Sequence, residues 1–245
     1  MPTDQAARDV ARREAPTIPT GPQRVMHGAV GLLALAGLVA QLVLNIRSSL
    51  AGGDGAEDLA TTLVRFFSYF TILSNALVAV SAIAIARGRP LGTVLRVARL
   101  DGVVAIVITA VVHWFLLRPT ATATGFASVV DVVLHIAVPA LAVLAWLLGP
   151  RGDVGGRDVG FAMLFPTLYA AWIFAFGAAT GWYPYPFVDV PEVGYGGALT
   201  MAAVIFGVFA LLLLAAWALD VLGRHLRTTP PSRPRPRADL HGGPQ

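Results

Sequence analysis

The chain alternates between long apolar segments and short polar stretches, and six of the apolar segments are long enough to span a membrane as helices. A helix needs about 20 mainly apolar residues to cross the hydrocarbon core of a bilayer. The predicted spans are Val25–Ile46, Thr62–Ala86, Val97–Leu117, Val129–Leu148, Val159–Thr180 and Ala198–Leu222. Pro166 lies inside the fifth span and should kink it unless neighbouring helices compensate. The pattern predicts an all-α fold, a bundle of six transmembrane helices.

The two ends of the chain differ from the six-helix region. Residues 1–23 are polar and rich in arginine and proline, and we expect a disordered cytoplasmic arm. Residues 24–222 form the predicted six-helix transmembrane domain. Residues 223–245 are rich in arginine and proline and predict a second disordered cytoplasmic segment.

Composition supports a membrane protein and excludes several classes of site. Hydrophobic residues make up 56% of the chain and charged residues 13%, whereas about 25% of residues are charged in a soluble domain. Cysteine is absent, which excludes a disulfide framework, a thiol nucleophile and a cysteine-ligated metal. The arginines lie at the ends of apolar segments, so we expect no nucleic-acid partner.

Arginine placement predicts the orientation in the cell membrane. The first polar segment, the second and fourth loops and the tail hold most of the arginines: Arg8, Arg12, Arg13, Arg24, Arg87, Arg89, Arg96, Arg99, Arg151, Arg157, Arg224, Arg227, Arg233, Arg235 and Arg237. The other three loops hold only Arg47 and Arg118. Cytoplasmic loops carry an excess of arginine, so both termini should be cytoplasmic.

The second span carries polar side chains at helical spacing. Ser68, Thr71 and Asn75 stand at i, i+3 and i+7, which places them on one face of a continuous helix. Lipid cannot satisfy hydroxyl and amide groups, so this face should turn toward other helices or a cavity.

With this topology, polar residues of several spans fall at a similar depth. Thr71 lies roughly 13 Å and His135 roughly 9 Å below the outer surface, at about 1.5 Å per residue. His113 lies within about a turn of the outer end of the third span. Asp131 and His135 stand at i and i+4 on the fourth span and can meet.

These residue types match the parts of a nucleophilic site. A threonine hydroxyl can act as nucleophile, a histidine as its base and a carboxylate as the group that orients the histidine. Ser68 and Asn75 are candidates to stabilise the oxyanion and bind substrate, with His113 beside them. The alternatives stay open: Thr71 bonding its own helix carbonyl, His135 as a packing residue, and Asp131 as a helix cap.

A proline-rich aromatic loop joins the last two spans. It reads Tyr183-Pro-Tyr185-Pro-Phe-Val-Asp189, and its X-Pro steps favour an extended backbone. Its aromatic residues suit a membrane interface, so it is either an interfacial anchor or a lid over the pocket. In the second case Tyr183, Tyr185 and Asp189 would contact substrate.

Two sequence features resemble a known family. Phe70-Thr71 in its aromatic helix, together with His135 followed by Pro139, resembles the androgen-induced and androgen-dependent TFPI-regulating membrane proteins. The chain is more similar still to bacterial six-span proteins with a Tyr-Pro-Tyr-Pro-Phe loop. The resemblance implies an intramembrane threonine hydrolase of fatty acid esters, with Thr71 as nucleophile and His135 as its partner. The chain departs from many bacterial members at Leu134, where they have a second histidine.

Three functions follow as hypotheses. The first is an intramembrane hydrolase of lipid esters that needs no cofactor or metal and has membrane lipids and a lipid-like molecule as partners. The second is a haem protein ligated by His113 and His135. The third is a non-catalytic lipid-binding or transport protein. The sequence leaves the oligomeric state open.

Overall fold

The fold is helical throughout the part of the chain that can be described. The structure is a computed structural model that describes residues 18–52, 57–120, 123–150 and 154–228. Within these residues every regular element is a helix and none is a strand, which confirms the predicted all-α class. Residues 1–17 and 229–245, which hold most of the predicted arm and tail, lie outside the described residues.

The α-helices are numbered in chain order. They are α1 (Gly21–Ala51), α2 (Leu59–Ser68), α3 (Phe70–Ala86), α4 (Thr93–Val112), α5 (Gly125–Val132), α6 (Val138–Leu148), α7 (Gly156–Ala162), α8 (Leu164–Thr180) and α9 (Val190–Thr228). A π-helical turn, His113–Leu117, continues α4, and a second, Val133–Ala137, joins α5 to α6. Short 3₁₀ turns occupy Arg118–Thr120 and Pro186–Val188.

Five helical stretches of the described residues are long and apolar enough to cross a membrane. They are Gly21–Ala51, Thr93–Leu117, Gly125–Leu148, Gly156–Thr180 and Val190–Gly223. Helices α2 and α3 meet the same criterion together, but their axes are bent by 69°, so they add a sixth if the bent pair is one span. Large apolar side chains such as Leu32, Phe115 and Leu211 face outward, as helices in contact with lipid require.

Helix α4 lies at the centre of the bundle. In its span, 56% of the most apolar 18-residue stretch is buried inside the protein. The same fraction is 17% in each of the last two spans. Leu100 and Ile108 pack with Trp146 of α6 and with Phe209 and Leu213 of α9. A second cluster joins α1, α3, α4 and α6 and includes Val30, Ala34, Val78, Ile106 and Val138. Small residues let the backbones approach: a Cβ on Gly31 would lie 2.8 Å from Ile83 Cγ1.

Most helices extend beyond the predicted spans. Helix α1 covers Gly21–Ala51 where Val25–Ile46 was expected, and α9 continues to Thr228, so residues 223–228 are helical and not part of a disordered tail. An apolar pattern marks only the part of a helix that lies in the hydrocarbon core of the membrane. The ends of the helix are set by its capping residues. The Asp58 carboxylate, for example, accepts from the Thr61 N–H at 3.0 Å and starts α2.

The fifth span is interrupted close to its proline. Helix α7 ends at Ala162 and α8 begins at Leu164, with Met163 between them. Pro166 has no N–H to donate to the Ala162 carbonyl, and its ring crowds that carbonyl, which explains the break. Gly156–Thr180 remains one stretch long enough to cross a membrane, so the bend expected at Pro166 stays a prediction.

Charged residues are buried at the terminal end of the bundle, which we define as the end where α1 begins and α9 ends. His27, Arg99, Asp101, Asp158 and Asp220 are all buried there or one to two turns inside. Arg99 donates to the Pro150 carbonyl at 2.7 Å, and Arg96 pairs with Asp158 at 3.0 Å. These side chains hold the loops onto the helices, so this end of the bundle is not wholly apolar.

Candidate active site

The second span is broken at the start of the candidate site. Helix α2 ends at Ser68, Tyr69 is extended (φ −78°, ψ 128°), and α3 begins at Phe70. The prediction of one continuous helix was wrong. Thr71 consequently lies in the first turn of α3, and Ser68 no longer shares a helix face with Thr71 and Asn75.

Two tyrosines from later in the chain satisfy the backbone groups freed by the break. The Tyr169 hydroxyl donates to the Ser68 carbonyl at 3.1 Å, and the Phe70 N–H donates to the Tyr185 hydroxyl oxygen at 2.9 Å. The Ser68 hydroxyl donates to the Val64 carbonyl at 2.8 Å and accepts from the Trp172 indole at 2.9 Å. Irregular backbone at membrane depth is tolerated only with such partners.

Both candidate histidines stand on π-helical turns. His113 begins the turn His113–Leu117, and His135 is the centre of Val133–Ala137. Pro139 follows His135 by four residues, so it leaves the His135 carbonyl without its usual partner and favours a wider turn. Single π turns inside α-helices are frequent at functional sites.

Thr71, His135 and Asp131 form a connected row. Thr71 Oγ1 lies 3.2 Å from His135 Nε2, and His135 Nδ1 lies 2.9 Å from Asp131 Oδ1. Nδ1 also lies 3.0 Å from the Asp131 backbone oxygen. Both neighbours of Nδ1 are acceptors, so the proton of the neutral ring belongs on Nδ1, and Nε2 is free to accept from the Thr71 hydroxyl. The predicted meeting of Thr71 and His135 is confirmed, while their catalytic role stays a prediction.

His113 joins this row from the third span. Its ring stacks on the His135 ring with centroids 4.0 Å apart and planes inclined by 15°. Its Nε2 lies 3.5 Å from Asp131 Oδ2, so one carboxylate faces both histidines. His113 is 3% exposed.

The stacked rings suit hydrogen bonds better than metal or haem ligation. Ligand atoms of His113, Asp131 and His135 all lie within 4.8 Å of one another, the spacing of a cation site. However, a metal needs nitrogen lone pairs that converge at about 2.0–2.1 Å, and parallel rings direct theirs side by side. Axial haem ligands must face each other across the porphyrin, for which a 4.0 Å stack leaves no room.

Asn75 holds the two halves of the row together. Its amide nitrogen donates to the Thr71 carbonyl at 2.8 Å and to the Leu134 carbonyl at 3.2 Å. Ser74 donates to the Thr71 carbonyl and shares a hydrogen bond of 2.9 Å with Thr109 of α4. The donors of Ser68 and Asn75 are thus committed to backbone carbonyls, which leaves neither free for an oxyanion.

An apolar cavity opens beside Thr71. It has a free volume of about 80 Å³ between α3, α4, α8 and α9, and its walls include Thr71, Ile108, Tyr169, Tyr185 and Phe206. Thr71 lines this cavity, whereas His113, Asp131 and His135 do not. The hydroxyl therefore stands between the imidazole and the cavity.

The proline-rich loop brings only one of its predicted residues to Thr71. Tyr185 lines the cavity, and burial raises the pKa of its phenol to about 12. The Tyr183 ring instead packs on Gly177, where a Cβ would lie 2.2 Å from it. Asp189 accepts from the backbone N–H groups of Glu192 and Val193 with its carbonyl and so starts α9.

Sequence reasoning missed the supporting residues Tyr169, Trp172 and Thr109. Tyr169 and Trp172 stand at i and i+3 in an otherwise apolar span, and both carry a polar group that needs a partner when buried. That spacing was the available signal.

Comparisons with protein-family models, with curated proteins and with solved structures give no match for this chain.

Proposed function

We propose that the protein is an intramembrane hydrolase of lipid esters in which Thr71 is the nucleophile. The carrying observation is the row from Thr71 Oγ1 through His135 to Asp131, with contacts of 3.2 Å and 2.9 Å. A hydroxyl next to a base that a third group orients is the arrangement of covalent acyl transfer. Kinship with the threonine hydrolases is part of this proposal.

The reaction proceeds in two steps. The Thr71 hydroxyl attacks the ester carbonyl and passes its proton to His135 Nε2. The tetrahedral intermediate collapses, and His135 returns the proton to the leaving alcohol, which gives an acyl-threonine. Water then attacks the acyl-threonine with His135 again as base, which releases the carboxylic acid and restores Thr71. Asp131 holds Nδ1–H throughout and stabilises the transient imidazolium.

The cavity favours an apolar acyl group. Its wall is apolar apart from a few hydroxyl groups, and its free volume of about 80 Å³ holds a short stretch of acyl chain. Each buried methylene contributes about 0.8 kcal/mol of binding free energy, so longer acyl chains should bind more tightly until the cavity is filled.

The proposed setting is the cell membrane, with six spans and both termini in the cytoplasm. The bent pair of α2 and α3 then counts as one span, and the arginine-rich loops lie on the cytoplasmic side. The row of Thr71, His135 and Asp131 falls in the outer half of the bilayer.

Labelling of the nucleophile tests the proposal. Purified protein in detergent is treated with a fluorophosphonate carrying an alkyl chain and is assayed with p-nitrophenyl esters of increasing chain length. We expect turnover and a labelled Thr71 peptide, both lost in Thr71→Ala. Thr200→Ala is the matched control, because the Thr200 hydroxyl only bonds the Gly196 carbonyl of its own helix at 2.7 Å. Label that persists in Thr71→Ala excludes Thr71 as nucleophile.

A non-catalytic lipid-binding protein is the second candidate. The observation in its favour is that the cavity contacts Thr71 but none of the three residues behind it. Fatty acid or lipid that co-purifies with the protein, with no turnover of any ester, would support binding alone.

A further inference from the structure

An ester hydrolase needs a donor for the oxyanion that forms beside its nucleophile. The side-chain donors expected from the sequence, Ser68 and Asn75, are bonded to backbone carbonyls. A donor must therefore come from another element that reaches Thr71.

We propose that the Tyr185 hydroxyl donates the hydrogen bond that stabilises this oxyanion, an inference that rests on the proposed hydrolase function. Tyr185 and Thr71 line the same cavity. The Tyr185 hydroxyl faces the Thr71 side chain and its backbone N–H, in addition to the Phe70 N–H that donates to it at 2.9 Å. In the tetrahedral intermediate, the Thr71 oxygen and the oxyanion are both bonded to the former carbonyl carbon of the ester. A donor beside the Thr71 oxygen can therefore reach the oxyanion as well.

The break in the second span prepares this phenol as a donor. Its oxygen accepts from the first amide of α3, so its own proton remains for another acceptor, and the Thr71 and Tyr169 hydroxyl oxygens are the ones within its reach. The unpaired amides at a helix N-terminus carry partial positive charge, which strengthens a phenol bonded to them as a donor. Burial raises the pKa of Tyr185 to about 12, which keeps the proton on the phenol at neutral pH.

The loop fixes the ring before any substrate arrives. Pro184 and Pro186 flank Tyr185 and restrict its backbone. The ring stacks on Phe187 with centroids 5.2 Å apart and meets the Tyr69 ring edge-on at 5.9 Å. A donor that is already in place needs no reorganisation during the reaction, which is the condition for strong electrostatic stabilisation.

The test compares two tyrosines of the same loop. Tyr185→Phe removes the proposed donor, and Tyr183→Phe removes a hydroxyl from a ring that packs on Gly177. With p-nitrophenyl esters we expect Tyr185→Phe to lower kcat by about 10²–10³-fold with KM changed little, as for loss of one oxyanion donor. Tyr183→Phe should stay close to wild type.

The outcomes separate this inference from the hydrolase proposal. An unchanged or raised kcat in Tyr185→Phe, with active wild type, overturns the donor role alone. Wild type without turnover or label overturns the hydrolase proposal and this inference with it. If Tyr185→Phe does not fold, 3,5-difluorotyrosine at position 185 keeps the hydroxyl and makes it more acidic. A kcat that responds to this substitution supports the donor role, and an unchanged kcat overturns it.

Discussion

The Thr71 hydroxyl and the His135 ring lie 3.2 Å apart, although 64 residues separate them in the chain. The contact depends on two departures from regular helix. A break before Phe70 places Thr71 in the first turn of α3, and a π turn carries His135. Four further predictions follow from this arrangement and from the packing around it.

Loss of the base should affect chemistry far more than loss of its stacking partner. His135→Asn should lower kcat by about 10²–10⁴-fold, the usual contribution of a general base. His113→Asn should cost much less, because the contacts that His113 makes with the site among the described residues are to the Asp131 carboxylate and the face of the His135 ring. Steady-state kinetics on both variants measure the difference. Equal losses of kcat would show that His113 and His135 act together as the base.

Asp131→Asn should lower activity only moderately, by about 10–10²-fold. In serine proteases the equivalent change costs about 10⁴-fold, because the histidine adopts the wrong tautomer. Here the Asp131 backbone oxygen lies 3.0 Å from His135 Nδ1 and survives the substitution. The Nδ1–H tautomer therefore stays favoured. A loss of kcat as large as the protease value of about 10⁴-fold would show that the carboxylate alone sets the tautomer.

Gly177→Ala should destabilise the loop that carries Tyr185. The added Cβ would lie 2.2 Å from the Tyr183 ring, so the ring must move, at a cost of about 1–3 kcal/mol. Gly207→Ala is the control, since nothing lies within 4 Å of its added Cβ. Alanine there should be neutral or stabilising by up to about 1 kcal/mol. Thermal unfolding in detergent compares the two variants. Equal unfolding temperatures would contradict the close packing of the Tyr183 ring on Gly177.

Single cysteines should report the orientation, because the natural chain contains no cysteine. Arg89→Cys and Thr124→Cys place thiols at exposed positions on loops at opposite ends of the bundle. A membrane-impermeant maleimide should label Thr124→Cys in intact cells and Arg89→Cys only after permeabilisation. The reverse pattern would place the termini outside and the site in the inner half of the bilayer.

The sequence predicts the spans and the meeting of Thr71 with His135 because both depend on simple periodic properties. Apolar length marks the membrane crossings, and the constant rise of a helix gives the depth of each polar residue. The i, i+4 spacing of Asp131 and His135 is equally local. None of these inferences required knowledge of the packing.

The break at Tyr69 could not be predicted locally. The segment from Arg65 to Asn75 contains neither glycine nor proline. The groups that stabilise the break, Tyr169 and Tyr185, stand 101 and 115 residues beyond their partners in the chain. Such a break is a tertiary effect, and the predicted Ser68–Thr71–Asn75 face failed for that reason. Pro139 was the one local sign of the π turn at His135.

The amide of Asn75 has a consequence for how the site responds to its surroundings. It bonds the carbonyl of Thr71 in α3 and that of Leu134 in the π turn between α5 and α6, so it fastens the segment bearing the alcohol to the segment bearing the imidazole. Helices tilt when bilayer thickness changes. We therefore expect the two segments to tilt about that point, which would keep the alcohol and the imidazole in register in thin and thick membranes alike.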